Sequence, residues 1–301
     1  MADQSTAHEA PWTVGRLLQW TQQYLAQRGV DEARLATEVL LSHALNCRKI
    51  ELYTRFESVP AADRRAVFRE LVLAAADHTP VAYLVGYKEF FSLTFEVTPA
   101  VLIPRPETEA LVMRALQLCE DRNLEQPRFL DVGTGSGCIV VTLLKHLPSG
   151  QAVATDIFPG ALEVARRNAT RHGVADRVAF VEVDRLELPA KRIPDGGFDL
   201  MVSNPPYVAA DEMATLPQNI RAHEPAMALT EGGDGLSFYR VFAQAGPALL
   251  RAGGAILVEI GYGKGPAVVD IFGRSGRFAY VGAWRDPTDP HDRVMEFRLT
   301  G

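Results

Sequence analysis

Four residues in the second half of the chain, Asn204-Pro205-Pro206-Tyr207, have the types and the order needed to hold a planar amino group. They follow "FDLMVS", a run of strand-forming residues. Proline lacks a backbone N–H and has a fixed φ, so two in succession end a strand and its hydrogen-bond ladder. The carbonyl groups at that end then need other partners. A simple strand-ending turn is the structural alternative, because Asn-Pro is common in turns.

The chemistry that suits this motif is transfer of a group to an amide or aniline nitrogen. The lone pair of such a nitrogen is delocalised, so its two N–H bonds must be held and the lone pair aimed. The side-chain oxygen of Asn204 and the carbonyl of Pro205 can accept these hydrogens, and the Asn204 NH₂ can donate to a substrate carbonyl. Tyr207 can stack on the planar group. The expected catalysis is therefore positioning and electrostatic preorganisation.

A second motif, "FLDVGTGSG", predicts a ligand loop between a strand and a helix. Its glycines allow a tight turn that brings backbone N–H groups close to a ligand. Asp156 closes the following strand, at the spacing where an acid binds ribose hydroxyls. A dinucleotide site requires G-x-G-x-x-G/A, but Cys138 stands at its last position. The actual spacing, with Asp131 before it to hold an ammonium, favours S-adenosylmethionine as methyl donor.

The elements around these motifs predict an α/β fold. From Arg128 onward short apolar strands alternate with helices, which is typical of a parallel, doubly wound sheet. The fourth strand of such a sheet ends beside the first, so the two motifs are expected to meet at the switch point. Before this part, "HTPVAYLVGYKEFFSLTFEVTP" predicts a short hairpin. Helical periodicity fills the region from about Thr13 to His78, with Thr13 and Asp31 as candidate N-caps.

Composition limits the classes of protein. The chain has 301 residues, 47% of them hydrophobic and 23% charged, as in ordinary globular proteins of about two domains. A net charge of -6 argues against bare nucleic acid as the main partner. Three unpaired cysteines and scattered histidines predict neither a disulfide framework nor a metal site. With a polar start and no long apolar run, a cytoplasmic protein without membrane contact is expected, and nothing demands more than a monomer.

Several segments together resemble one known family. They are "FLDVGTGSGCI", "TDI", "SNPPYV", "EPAMAL…GGDGLSFYR" and "VLIPRPETE", and the resemblance covers nearly the whole chain. It is to the HemK-like protein-(glutamine-N5) methyltransferases that act on peptide chain release factors. The N-P-P-Y motif alone is shared with DNA adenine-N6 methyltransferases, whereas "IPRPETE" and "EPAMAL" are more specific.

The resemblance implies a seven-stranded methyltransferase sheet with a last antiparallel strand. It implies three parts: a helical docking domain for the release factor, residues 1–84; a hairpin linker, 85–105; and a catalytic domain, 106–301. The acceptor would be the glutamine of the release factor's Gly-Gly-Gln loop, held by the motif at 204–207. The expected cofactor-binding residues are Asp131, Gly133, Thr134, Gly135, Ser136, Gly137, Asp156, Asp184, Arg185 and Asn204.

One position departs from the family's pattern. An aromatic residue often adjoins the acid near the adenine, but here it is Arg185, whose guanidinium stacks on adenine or is simply solvated. Arg105, Thr108 and Glu109 either close over the methionine or merely start a helix. Three further residues have weaker roles. Glu224 and Pro225 shape the substrate entrance or form a loop turn, and Glu259 is expected at the pocket rim.

Other functions remain open at the level of sequence. A glutamine methyltransferase for a ribosomal protein shares these motifs, and "PRPETE" favours release factors over it. A DNA adenine methyltransferase would need a target-recognition domain and a basic cleft, and neither is evident. A nicotinamide oxidoreductase is disfavoured by Cys138. A non-catalytic cofactor-binding module would have no use for the Asn204 side chain.

Overall fold

The structure is a computed structural model that describes residues 11–285 and 290–300. The polar first ten residues, on which the expectation of no leader segment rests, lie outside the described residues. The chain divides into two compact units, the first ending at Gly86 and the second beginning at Tyr87. No helix in the described ranges is long and apolar enough to cross a membrane.

The described part of the first unit consists of helices joined by short loops. Buried residues at helical spacing, such as Val14, Leu18 and Leu25 in the first helix, form its core. Thr13 caps this helix as predicted, because its side chain accepts a hydrogen bond from the Arg16 N–H at 3.2 Å. The helices are α1 Val14–Gln27, α2 Ala33–Leu45, α3 Lys49–Thr54, α4 Ala62–Ala76 and α5 Val81–Val85.

One detail of the first unit differs from the sequence predictions. Asp31 is not the N-cap of α2, because that position is held by Glu32 in the left-handed conformation at φ 46°. In α4 the buried residues are Phe68, Val72 and Ala75, whereas Val67 is 46% exposed.

A hairpin opens the second unit. Strands β1 (Tyr87–Phe90) and β2 (Leu93–Glu96) pair antiparallel, as predicted. The hairpin packs with the second unit, because Phe90 and Phe95 are buried in the core of that unit.

One fully buried side chain ties the hairpin to the glycine loop. The Asn168 oxygen accepts from the Glu96 N–H at 2.7 Å. Its amide nitrogen donates to the Glu96 carbonyl at 3.0 Å and to the Ser136 carbonyl at 2.9 Å. Asn168 thereby satisfies main-chain groups of strand β2 and of the glycine loop with a single side chain.

The remaining elements alternate between helices and strands as the sequence predicted, with helices on both faces of one sheet. A 3₁₀ turn, Pro106–Thr108, precedes the first of them. The helices are α6 Glu109–Asp121, α7 Cys138–His146, α8 Pro159–Arg171, α9 Gln218–His223, α10 Ala226–Leu229, α11 Ser237–Ala245 and α12 Gly265–Ser275. The strands are β3 Arg128–Val132, β4 Gln151–Asp156, β5 Val178–Glu182, β6 Phe198–Ser203, β7 Leu250–Glu259, β8 Phe278–Trp284 and β9 Val294–Leu299.

Seven of these strands form one sheet in the order β5-β4-β3-β6-β7-β9-β8. The five strands from β5 to β7 are parallel, and β9 is antiparallel to both of its neighbours. The chain order reverses between β3 and β6, which is the switch point of a doubly wound fold. The predicted seven-stranded sheet with an antiparallel last strand is confirmed.

Helix α12 and the short helices α9 and α10 were not predicted. Residues 261–266, which lead into α12 and form its start, contain three glycines and a proline, which are typical of a loop. Pro266 instead occupies the first turn of α12, where a missing N–H costs nothing. Val268 and Phe272, four residues apart, bury the inner face of this helix.

Candidate active site

The two sequence motifs lie side by side at the carboxyl edge of the sheet. Strand β3 leads into the glycine loop and β6 into the N-P-P-Y motif, and the two strands are paired in parallel with Asp131 opposite Val202. The ladder between β6 and β7 ends at Ser203, one residue before the motif. The prolines therefore begin where sheet pairing stops, and the motif faces the loop across the switch point.

A cavity of about 940 Å³, part of it open to solvent, lies above this edge. Most of the predicted site residues contribute to its wall. The wall also includes residues from the segment after the hairpin and from helices α10 and α11. Predicted residues in the wall are Arg105, Thr108, Gly133, Thr134, Gly135, Ser136, Asp156, Asp184, Arg185, Asn204, Pro206 and Pro225.

Hydrogen bonds to the end of strand β4 hold the glycine loop in place. The Thr134 N–H donates to the Thr155 carbonyl at 2.8 Å, and the Gly135 N–H donates to Asp156 Oδ2 at 3.0 Å. Gly133 and Gly135 have φ of 72° and 54°, which glycine adopts without strain. A Cβ built on either would meet no heavy atom within 4 Å. The space above these two glycines is therefore open to a ligand.

Asp131 lies beneath the loop, and it does not line the cavity. Its carboxylate is fully buried and accepts from Thr134 Oγ1 at 2.6 Å, while Oδ1 has no partner in the structure. Burial raises the pKa of Asp131 to about 7, and the Thr134 hydrogen bond opposes this rise. The sequence predicted that Asp131 contacts an ammonium, and the structure places its hydrogen-bond partner Thr134, not Asp131 itself, in the cavity wall.

Asp156 ends β4 at the cavity wall. Its second oxygen, Oδ1, accepts from the Phe158 N–H at 3.0 Å. Burial raises the pKa of this carboxyl, and hydrogen bonds from Phe158 and Gly135 partly offset the rise. Both oxygens retain lone pairs for a ligand, because each carboxylate oxygen can accept more than one hydrogen bond.

Asp184 and Arg185 line the cavity after β5, as expected from the sequence. Arg185 has a positive φ of 48°. Its guanidinium carbon lies 4.9 Å from the ring centroid of Phe238, a wall residue on α11, and Nη2 lies 3.4 Å from Ser237 Oγ. The arginine is therefore packed by a cation–π contact rather than freely solvated.

The N-P-P-Y residues divide into two pairs. Asn204 and Pro206 line the cavity, whereas Pro205 is buried behind them and Tyr207 does not contribute to the wall. The Tyr207 hydroxyl instead lies 3.4 Å from Glu259 Oε1, and burial raises its pKa. Asn204 Nδ2 lies 3.1 Å from Thr108 Oγ1, so a residue of the 3₁₀ turn holds its amide.

Gly235 supports Tyr207 through a close approach of two backbones. It is buried with φ 72°, and a Cβ there would lie 2.2 Å from the Tyr207 carbonyl oxygen. We expect Gly235→Ala to lower the free energy of unfolding by about 2–4 kcal/mol, from left-handed strain and the steric clash. Chemical denaturation of Gly235→Ala and the intact chain measures this.

Gly233→Ala is the matched control in the same loop. Its Cβ would come no closer than 3.6 Å to Glu231 Oε1, and the residue is exposed. Its stability should stay within about 0.5 kcal/mol of the intact chain. Equal losses in the two variants would contradict the close-approach argument.

The segment entering the sheet domain is tied to the loop after α9. Glu224 is buried, and its carboxylate accepts from the Ile103 N–H at 3.2 Å and from Arg105 Nη2 at 2.5 Å. Glu224 thus holds Arg105, a residue of the cavity wall, against the loop after α9. Glu109 is not in the cavity wall, because its carboxylate accepts from the Phe91 N–H at 2.8 Å.

Glu259 was predicted at the pocket rim, and this is wrong. The residue is 1% exposed and lies under the motif at the end of β7. Glu259 Oε2 accepts from Thr108 Oγ1 at 2.6 Å, and Tyr239 donates to its carbonyl at 2.8 Å. A single acid ending an otherwise apolar strand was the one sequence signal of a buried functional group.

The groups of the cavity wall are suited to holding a ligand by hydrogen bonds. No cluster of three or more potential ligands for a metal ion occurs among the residues that the structure describes. Carboxylate and glycine groups line one side of the cavity, and an amide with a proline lines the other. The cavity can therefore hold a ribose-bearing cofactor on one side and a small planar group on the other.

Sequence comparisons give a consistent result. Residues 16–86 match a family model described as the PrmC N-terminal domain, and residues 124–246 match one described as a methyltransferase domain. A release factor glutamine methyltransferase of Geobacter sulfurreducens is 43% identical over 96% of this chain and 97% of its own length. One of the same name from Rhodopirellula baltica is 41% identical over 85% of this chain and 86% of its own.

Comparison of structures agrees on the fold. The catalytic domain of hMettl16 superposes with a TM-score of 0.51 at 18% identity. The superposition covers 77% of this chain and 82% of that one. At this identity the likeness concerns the sheet and its helices only.

Proposed function

The chain belongs to the release factor glutamine methyltransferases, and we propose that it moves a methyl group from S-adenosylmethionine to a release-factor glutamine. The acceptor atom is the side-chain amide nitrogen of the glutamine in the Gly-Gly-Gln motif. The observation that carries the proposal is the single cavity with the glycine loop and Asp156 on one side and Asn204 on the other.

The residues on the loop side fit S-adenosylmethionine. Open space above Gly133 and Gly135 admits its methionine part, and the Thr134 hydroxyl, backed by Asp131, offers an acceptor to an ammonium. Asp156 binds the ribose hydroxyls, while Asp184 and Arg185 border the adenine. When bound, the cofactor supplies a methyl group activated by a sulfonium.

The residues on the motif side hold the acceptor. The Asn204 side-chain oxygen and the Pro205 carbonyl accept the two hydrogens of the glutamine amide, so its nitrogen lone pair points at the methyl group. Pro206 borders the planar amide, and Tyr207 supports the motif through its contact with Glu259. Water takes the departing proton, because an N-methylated amide cation is a strong acid, and no side-chain base is required.

Labelled methyl transfer tests the proposal. Purified release factor and a copy whose Gly-Gly-Gln glutamine is changed to alanine are incubated with the chain and labelled S-adenosylmethionine. We expect label on the intact factor and none on the altered copy. Plasmid DNA and ribosomal proteins in parallel reactions should stay unlabelled.

Two results would overturn the proposal. Label on the altered factor would mean that another residue is the acceptor. Label on DNA or on a ribosomal protein alone would mean that the motif holds a planar amino group of a different substrate class.

The helical first unit is proposed to dock the factor, and a chain lacking residues 1–84 should then lose transfer to the whole factor.

A further inference from the structure

The ends of β6 and β7 bring a buried acid next to the catalytic amide. Ser203 pairs with Val258, so the next residues, Asn204 and Glu259, lie at the same level of the sheet. Thr108 reaches the same point from the 3₁₀ turn before α6. Two hydrogen bonds join the three side chains. Thr108 Oγ1 lies 2.6 Å from Glu259 Oε2, and Asn204 Nδ2 lies 3.1 Å from Thr108 Oγ1.

The direction of these hydrogen bonds follows from counting hydrogens. A hydroxyl group has one hydrogen, and an ionised carboxylate has none. At 2.6 Å Thr108 must therefore donate its only hydrogen to Glu259. Toward Asn204 the Thr108 oxygen can only accept, so the neighbouring group of Asn204 must be its NH₂.

This fixes which way the Asn204 amide faces. With one N–H of Asn204 bound to Thr108, its carbonyl oxygen is kept out of that contact and serves as an acceptor for substrate. The second N–H stays available for a substrate carbonyl. Donation from the NH₂ also increases the negative charge on the amide oxygen, which strengthens the hydrogen bond that this oxygen accepts.

We propose that Glu259 and Thr108 are positioning residues that hold Asn204 in the one amide orientation able to accept the substrate's N–H. The inference rests on the proposed function of Asn204. Glu259 also contacts Tyr207 at 3.4 Å, so one carboxylate supports both ends of the N-P-P-Y motif.

Protonation of Glu259 would release this orientation. A protonated carboxyl can donate to Thr108, which frees the Thr108 hydrogen to point at Asn204 and favours the opposite amide orientation. Burial raises the pKa of Glu259 to about 7, while the Thr108 hydrogen bond lowers it. Ionisable groups facing Glu259 from the surrounding elements are Glu107, Cys138, Tyr207, Tyr239 and Arg293.

Thr108→Val and Thr108→Ser form the decisive pair. Valine keeps the shape of threonine but has no hydroxyl, whereas serine keeps the hydroxyl. We expect Thr108→Val to lower kcat for the release factor about tenfold with little change in the KM for cofactor, and Thr108→Ser to retain most of the activity. Equal activity of Thr108→Val and the intact chain, or equal losses in both variants, would overturn the proposal.

The pH profile separates positioning from packing. In the intact chain kcat should rise with pH through about 7, because Glu259 is protonated below and ionised above that value. In Glu259→Gln the rise should vanish, and the rate should stay below that of the intact chain at high pH. An unchanged pH profile in this variant would refute the role of Glu259.

A spectroscopic measurement needs no turnover. In ¹⁵N-labelled protein the Asn204 side-chain NH₂ signal is identified by its loss in Asn204→Ala. The chemical shift of this signal should change with pH near 7 in the intact chain and stay constant in Glu259→Gln. A chemical shift that is independent of pH in both proteins would overturn the inference. If the intact chain methylates no release factor, the proposed function fails. If the intact chain is active but the variants and the NH₂ signal do not behave as expected, only the positioning role of Glu259 and Thr108 fails.

Discussion

Replacing Asn204 with alanine is expected to lower the rate of methyl transfer by about 100- to 1,000-fold, the usual cost of removing one preorganised hydrogen-bonding group at the reacting atoms. The affinity for S-adenosylmethionine should stay nearly unchanged, because the residues proposed to hold it, the glycine loop and Asp156, lie across the cavity from Asn204. Single-turnover kinetics and calorimetric titration with cofactor measure these two quantities separately.

A control and a contrary result define this test. Asp211→Ala changes an exposed residue of the loop after the motif and should leave both quantities intact. Thermal unfolding of Asn204→Ala should resemble that of the intact chain. Loss of cofactor binding in Asn204→Ala would instead assign the residue to the cofactor, and a normal rate would remove the motif from catalysis.

Replacing Asp156 with alanine is expected to weaken cofactor binding by about 100-fold or more. Two hydrogen bonds from ribose hydroxyls to a charged acceptor contribute roughly 1.5–3 kcal/mol each, and each 1.4 kcal/mol is a factor of ten. The variant also loses the carboxylate that holds the Gly135 and Phe158 N–H groups at 3.0 Å. Calorimetry gives the Kd directly.

Asp156→Asn separates the two contributions. Asparagine keeps one acceptor oxygen and nearly the same shape, so it should lose less affinity than alanine. An Asp156→Ala variant that binds cofactor as tightly as the intact chain would show that the ribose is held elsewhere.

The sheet and the meeting of the two motifs were predictable because they follow from local patterns. Apolar runs such as "FLDV" and "FDLMVS" identify strands, and the chirality of parallel connections limits the order of those strands. Asn204 and Gly135 are consequently near one cavity, as expected. The hairpin strands also followed from a pattern of period two.

The Glu259–Thr108–Asn204 contacts were not predictable in this way. Thr108 and Glu259 are 151 positions apart in sequence, and their contact depends on how the 3₁₀ turn packs over the ends of two strands. An acid at a strand end is usually exposed, so its sequence context favoured the rim. The burial of Asp131 was not predicted for a related reason, since nothing local shows that Thr134 bonds to it.

The buried Asn168 couples the stability of the hairpin to that of the glycine loop. Its three hydrogen bonds join the main chain at Glu96 to the carbonyl of Ser136. Breaking the contact with either segment leaves a buried amide unsatisfied, so fluctuations that open one segment also destabilise the other. We therefore expect the hairpin and the glycine loop to unfold locally as one cooperative unit, with the amide hydrogens of both exchanging with solvent through a shared opening event.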